Sequence, residues 1–341
     1  MSKMLVLVST LLCFLSLLSS AAAQAKPLSL VTTEWESFTH QGAHSERLNE
    51  IVEHAFERAG HPIHITTERP AFAGSGLSSG KYQGRIDFID LNPFDDDFVV
   101  SAQYLPLYLH LVSKNQDVEN VRSFAQIRNA RVAIENRFAA TPPLRLVREI
   151  KWSRNPNTFE SINNLAKERS NYLLTDSLFF AEFNRLLIAE DEELLHKSNE
   201  VIFTTGLHIT LHNSVADAES ILADFDRAIT AMIADGSMNQ HLGLAWILAD
   251  TDNDNIAELV SSVSVQHSSA LVNGPLEPVL SRAYQWDGSG VQAVQVVIDG
   301  QRFATWGDAQ AFLRSNAKQI TDAERTSYLD PNTYTRILRA W

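Results

Sequence analysis

Two apolar, β-rich runs constrain this chain most: Tyr104 to Val112 (YLPLYLHLV) and Val201 to Leu211 (VIFTTGLHITL). Tyr, Leu, Val, Ile, Phe and Thr crowd both, which favours strands over helices. Apolar character with almost no alternation predicts strands covered on both faces, as in α/β sheets. Helical patterns before, between and after the runs supply the covering layers. Periodicity alone fits two architectures. One is a single α/β sheet; the other is a pair of lobes that both runs cross, with a ligand cleft between them.

A length of 341 residues suffices for two or three domains, and a hydrophobic fraction of 45% is that of a soluble globular protein. Lys and Arg number 28 against 41 Asp and Glu, a formal net charge of −13. That charge repels phosphate backbones and anionic lipid surfaces, so nucleic acid is not an expected partner.

The first 25 residues read as a targeting segment. Lys3 forms its positive region and Met4 to Leu18 its apolar stretch, with a small-residue cleavage site near Ala23 or Ala25. The apolar stretch is shorter than the roughly 20 residues that span a bilayer. The expectation is an exported, periplasmic, monomeric product. Cys13 is the only cysteine and lies inside this segment, so the mature chain has no disulfide, thiolate nucleophile or cysteine-bound metal.

From Leu28 the chain alternates strands and helices. Leu28 to Val31 is a strand, Thr33 to Phe38 a polar and aromatic turn, and Ser45 the cap of a helix with Leu48, Ile51, Val52, Ala55 and Phe56 on one face. Pro62 to Thr67 and Arg85 to Leu91 are the next strands. Ligands of open α/β sheets bind beyond the carboxyl ends of strands. The loops at Glu34 to Phe38, Glu68 to Pro70 and Asn92 to Asp97 should therefore share a rim. Val121 to Ile127 reads as a helix and Arg131 to Ile134 as a strand. Thr141 and Pro142 open another helix, whose exposed N–H groups, with Arg137 nearby, suit an anion. Thr158 opens a further helix by a capping-box-like pattern. Asp176 ends a short strand, where it either caps the following helix or meets a ligand. Ala218 to Ala234 is an amphipathic helix, and Met238 to Leu248 reads as a shorter one.

Several stretches together carry a resemblance: Leu48 to Gly60, Ser79 to Asp87 (SGKYQGRID), Ser101 to Tyr104, Val121 to Ile134, and Asp226 to Ser237. In this order, behind a targeting segment, Leu28 to Trp246 resembles bacterial solute-binding protein family 3. The resemblance implies an α/β, two-lobe periplasmic-binding-protein-like fold with two hinge crossings, here with a small C-terminal α+β extension. The corresponding domains are a signal peptide over 1–25, a first lobe from 26–113 and 205–248, a second lobe over 114–204, and an extension over 249–341.

It also implies capture of a small polar solute, amino-acid-like or amine-like, with an inner-membrane ABC transporter permease as partner. By position in the family pattern, Trp35 or Phe38 is the aromatic that stacks on the ligand and Asp176 the acidic anchor. Arg137 and Thr141 fall at the second lobe's helix N-terminus. Glu34, Arg69, Asn92 and Phe94 on the shared rim complete the candidate ligand residues. Asp95 to Asp97 stand where the family shows an arginine, an arrangement that would repel an anion unless Arg69 or Arg85 substitutes.

Two alternatives have different chemistry: an enzyme using cleft carboxylates such as Glu34, Glu135 and Asp176, or a lone periplasmic sensor module. No nucleophile elbow, phosphate loop or HExxH motif supports catalysis, so no catalytic residue, metal or cofactor is expected. His208 and His212 could pair on a metal only if helical. The run Asp250 to Asn255 resembles the start of a calcium loop, but Asn255 replaces its glycine and Ser261 its terminal glutamate, so it reads as a linker. Val291 to Ile298 and Arg302 to Trp306 read as a hairpin, followed by a helix from Asp308. This tail either packs on the first lobe or forms its own α+β module.

Overall fold

The computed structural model describes residues 26–36, 38, 39, 46–252, 254–287, 294–329, 331–339 and 341. The targeting segment with its cleavage site and Cys13, the cap residue Ser45, and the start of the tail hairpin at 291–293 lie outside the described residues. Among the described residues no helix is long and apolar enough to cross a membrane.

The chain opens with β1 (Leu28–Thr33), α1 (Arg47–Ala59), β2 (Ile63–Glu68), α2 (Pro70–Ser78) and β3 (Gly84–Ile89), then β4 (Phe98–Val100) and the long β5 (Leu105–Ser113). Next come β6 (Arg131–Glu135), α3 (Asn136–Ala139), α4 (Pro142–Leu146), β7 (Lys151–Asn155), α5 (Thr158–Ala166), β8 (Tyr172–Asp176) and α6 (Ser177–Ala189). After β9 (His196–Lys197) the chain returns through β10 (Phe203–His212) to α7 (Ala218–Ala234) and α8 (Ser237–Leu242).

These strands form one curled sheet, in the order β2-β1-β3-β10-β5-β8-β6-β7. Its two ends are parallel βα layers, β1 with β2 and β3, and β6 with β7 and β8. Between them β10 and β5 run antiparallel to each other and to their outer neighbours. Leu109 marks the changeover: it lies opposite both Phe203 of β10 and Asp176 of β8. The residues before it pair with β10, and those after it with β8. The two apolar runs of the sequence are thus the joint between the halves of the sheet. Leu105, Leu107, Leu109 and Leu111 are fully buried, each contributing about 1.5–3 kcal/mol of hydrophobic stabilisation.

Helix α1 forms as its apolar spacing predicts and ends at Gly60, whose left-handed φ of 78° lets its N–H reach the carbonyls of Phe56 and Glu57. It packs on α7 through Phe56 and Phe225, rings 4.9 Å apart. Two expectations change. Val121 to Ile127 holds only a single 3₁₀ turn, Phe124–Ile127, preceded by extended backbone at Val121. The segment from Met238 to Leu248 is not one helix: Gly243, at φ 64°, ends α8, and β11 (Ile247–Ala249) begins a second sheet.

That sheet, ordered β14-β11-β12-β15-β16, contains β12 (Ala257–Ser261), β14 (Tyr284–Gln285), β15 (Val294–Ile298) and β16 (Gln301–Phe303), with β13 (His267–Ser268), α9 (Ser269–Val272) and α10 (Glu277–Arg282) between β12 and β14. Helix α11 (Trp306–Asn316), β17 (Gln319–Ile320) and α12 (Pro331–Leu338) complete the chain. Leu248, Leu259, Val272, Val279, Ile298 and Leu313 build this module's own core. It is tied to the sheet joint, where the Tyr108 hydroxyl donates to the Gln285 carbonyl at 2.7 Å and the Tyr284 hydroxyl to the Pro106 carbonyl. The last helix leaves the module and fills a different core: Tyr334, Ile337 and Leu338 pack with Phe179, Phe183 and Leu187 of α6. The tail therefore does form an α+β module, but its end covers the second half of the main sheet.

Candidate functional site

The rim loops at the carboxyl ends of β1, β2 and β3 do come together. With the loops after β6 and β7 they enclose a cavity of about 870 Å³, whose walls include Glu34, Glu36, Arg69, Asn92 and Arg137. This volume is ample for a solute of amino-acid size.

On one wall, Asp87 of β3 is buried and accepts hydrogen bonds from the Thr33 amide at 3.0 Å, from the Thr33 hydroxyl, and from Arg85 Nη2 at 2.7 Å. Burial alone would raise its carboxyl, but the Arg85 and Arg137 charges and the Thr33 hydrogen bond hold it below the usual carboxylate range. Arg85 and Asp87 occupy one face of β3 because strand side chains repeat every second residue. Arg69 precedes α2, is exposed, and has no ion-pair or hydrogen-bonding side-chain partner among the described residues.

Arg137 reaches across from the opposite wall. Its Nε donates to Glu135 at 3.1 Å, its Nη2 to the Glu34 carbonyl at 2.8 Å, and its guanidinium lies 4.1 Å from the Trp35 ring centroid. Glu36 reaches the other way, its carboxylate 3.4 and 3.3 Å from the amides of Thr158 and Phe159 in the first turn of α5. A carboxylate there is favoured by the unpaired N–H groups of a helix start. Behind them Glu135 is buried, taking the Thr158 hydroxyl on one oxygen and Arg137 on the other. Burial pushes its carboxyl up to about 7; Arg137 opposes the shift and Glu36 reinforces it.

Glu34, Arg69, Asn92 and Arg137 thus share the cavity, joined by Arg85 and Asp87. Trp35 and Phe38 do not face it. Both are fully buried in an aromatic cluster, 4.5 Å apart, with Phe138 5.9 Å from Trp35. Trp35 offers its face to Arg137 instead. Thr141 is fully buried, and its hydroxyl donates to the Phe138 carbonyl at 2.6 Å rather than capping α4. Asp176 is 1% exposed and caps α6 by accepting the Phe179 amide at 2.8 Å. Burial raises its carboxyl against that hydrogen bond and the Arg47 charge.

Phe94 lies elsewhere: it stacks on Phe88 at 5.4 Å and draws the loop over a separate cavity of about 420 Å³ that also takes Asp95 and Asp97. Arg85 lines both cavities, and none of Asp95, Asp96 and Asp97 lines the larger one. Asp87, Asn136, Asn157 and Phe159 are among the cavity residues that sequence reasoning misses. A signal for Asp87 exists, since two opposite charges at i and i+2 within an apolar strand imply a buried pair on one face.

No protein-family model matches the sequence, and no curated protein matches it. Solved structures do. The GluR0 ligand-binding core in complex with L-glutamate aligns with a TM-score of 0.53 at 12% identity, covering 64% of this chain and 98% of that one. The amino acid ABC transporter substrate-binding protein AbpA from Streptococcus pneumoniae, bound to L-arginine, gives 0.47 at 12% identity, covering 64% and 94%. A periplasmic His/Glu/Gln/Arg/opine family-binding protein from Silicibacter pomeroyi, in complex with lysine, gives 0.47 at 17%, covering 63% and 94%. At such identities the likeness is one of fold, and the first of these carries it. The chain has the two-lobe α/β fold to which its resemblance to solute-binding protein family 3 points, extended by a second sheet and a returning C-terminal helix.

Proposed function

We propose that this protein is an exported binding protein that captures a small polar solute in the 870 Å³ cavity and presents it to an ABC-type permease of the inner membrane. The observation that carries the reading is the convergence of opposite charges on one cavity from both halves of the sheet. Arg69, Arg85 and Arg137 line it together with Glu34, Glu36 and Asp87. Such a lining suits a zwitterion, with Arg69 positioned for a carboxylate and Glu34 for an ammonium group. The domain division that goes with this reading makes β5 and β10 the hinge about which the cavity opens. Binding without chemistry is favoured over an enzyme by Glu135, the carboxyl pushed up to about 7, because both of its oxygens are engaged and it does not line the cavity.

A thermal-shift screen against amino acids, amines and small organic acids tests the reading. A ligand at a hundred times its dissociation constant should stabilise the fold by about 2.7 kcal/mol. For a hit, Arg69→Ala should cost about 1.5–3 kcal/mol of affinity, as loss of a charged hydrogen bond does. A hit that binds Arg69→Ala and Glu34→Gln as tightly as the parent protein would remove the solute from this cavity.

A further inference from the structure

A third cavity, of about 450 Å³, lies where four parts of the chain meet. Arg185 of α6 forms one wall, Gln240 and Gly243 at the end of α8 another, Ser264 to Gln266 after β12 a third, and Arg325 to Tyr328 before α12 the last. None of the described residues lining it is acidic, in a protein with a formal net charge of −13. It shares no lining residue with the larger cavity.

The carboxylate beside it is already engaged. Glu182, 3% exposed, accepts Arg185 Nη1 at 2.6 Å and stands 3.6 Å from Arg47 Nη1. Its other oxygen takes the Tyr328 amide at 2.8 Å and the Ser327 hydroxyl at 3.2 Å. A further guanidinium, that of Arg325, enters the cavity wall and donates Nη2 to the Gly243 carbonyl at 3.2 Å. Ser264, Gln266 and Thr326 add neutral hydrogen-bonding side chains. The wall is also fixed in shape. A Cβ on Gly243, itself at φ +64°, would stand 2.1 Å from the Tyr328 ring, which lies 4.9 Å from the Arg47 guanidinium.

From this lining we infer that the cavity is a binding site for a small oxyanion, a phosphate or carboxylate group, separate from the proposed solute site. Guanidinium forks match the oxygens of such groups in pairs. In a partly desolvated recess each hydrogen bond is stronger than at an open surface. Because the walls come from α6, α8, the second sheet and the tail, an anion held there draws those four parts together.

Calorimetry and thermal denaturation of the full chain, with inorganic phosphate and with malonate against chloride at matched ionic strength, test the inference and separate the two sources of the anion. The expected result is saturable heat with at least one of them, and a melting temperature that climbs with its concentration. Gln266→Glu adds a carboxylate to the lining with little change of shape and should weaken binding about tenfold or more. Arg325→Gln should do the same by removing a cation. Weakening in either variant that still melts cooperatively supports the site. No saturable binding of either anion overturns it, as does binding that both variants leave unchanged.

Discussion

Arg47 of α1 and Glu182 of α6 meet at 3.6 Å with side chains only 3% and 4% exposed, joining helices from the two halves of the main sheet. Burial lowers the pKa of Arg47, and the Glu182 charge raises it back in part. Arg185, Ser327 and Tyr328 complete the shell of that carboxylate. Replacing the charge by an amide removes the carboxylate that lies against both the Arg47 and the Arg185 guanidiniums. Glu182→Gln should therefore lose about 3–5 kcal/mol of stability, as removal of one member of a buried pair does. Urea denaturation measures it, and a loss below about 1 kcal/mol would show the pair to be worth no more than an exposed one.

Glu135 sets a pH dependence. Its folded value of about 7 lies above the ordinary 4.5, so the protonated form favours the folded state. The stability it contributes is fully present below 4.5 and is lost as pH rises through about 7. The loss is about 3 kcal/mol, because a tenfold change in proton affinity between the folded and unfolded states is worth about 1.4 kcal/mol. Urea midpoints should fall between pH 5 and pH 8, and Glu135→Gln should flatten that slope. A variant with the parent's slope would assign it to other groups.

Tyr334 separates packing from hydrogen bonding. Its ring is buried between Phe159, Phe179 and Phe183, while its hydroxyl has no partner among the described residues. Tyr334→Ala should cost about 3–5 kcal/mol, the range for removing a buried aromatic. Tyr334→Phe should be neutral or stabilising by about 1 kcal/mol, because an unsatisfied buried hydroxyl goes with it. Thermal melts of the two variants should move in opposite directions or by very different amounts. Equal losses would mean that the hydroxyl is satisfied in solution.

Gly84 is required by close approach. A Cβ there would stand 2.0 Å from the Thr210 carbonyl oxygen and 2.8 Å from the Leu211 side chain, where β3 pairs with β10. Backbone cannot step aside as a side-chain tip can. Gly84→Ala should cost about 1–3 kcal/mol by overpacking, with amide exchange rising along β3 and β10. Parent-like protection of those amides would show that the ladder accommodates the methyl group.

What can be read from the sequence depends on distance along the chain. The Leu-rich run at β5 and the spacing of Leu48, Ile51, Val52, Ala55 and Phe56 are local patterns, and both appear where expected, within a residue or two. The break at Gly243 is also local, a glycine at a helix end, but the apolar residues beyond it outweigh it in a reading by periodicity. Arg137 over Trp35 cannot be read, because nothing in either neighbourhood announces a partner a hundred residues away. Asp176 carries two readings in the sequence, cap and ligand contact. The structure gives the capping contact to Phe179 and buries the carboxylate away from the cavity walls. The loop after β3 divides: Asn92 lines the larger cavity as its place at a strand end predicts, whereas Phe94 stacks on Phe88 and lines the smaller one, a contact that position at a strand end does not announce.

The returning helix α12 bears on how the protein folds. Phe179 and Phe183 lie about 150 residues before Tyr334, the ring that covers them. Without that ring the apolar surface is open to water and to other chains. A chain that has folded α6 but not yet docked α12 exposes an aggregation-prone apolar face, and truncation just before residue 329 should leave that face bare permanently.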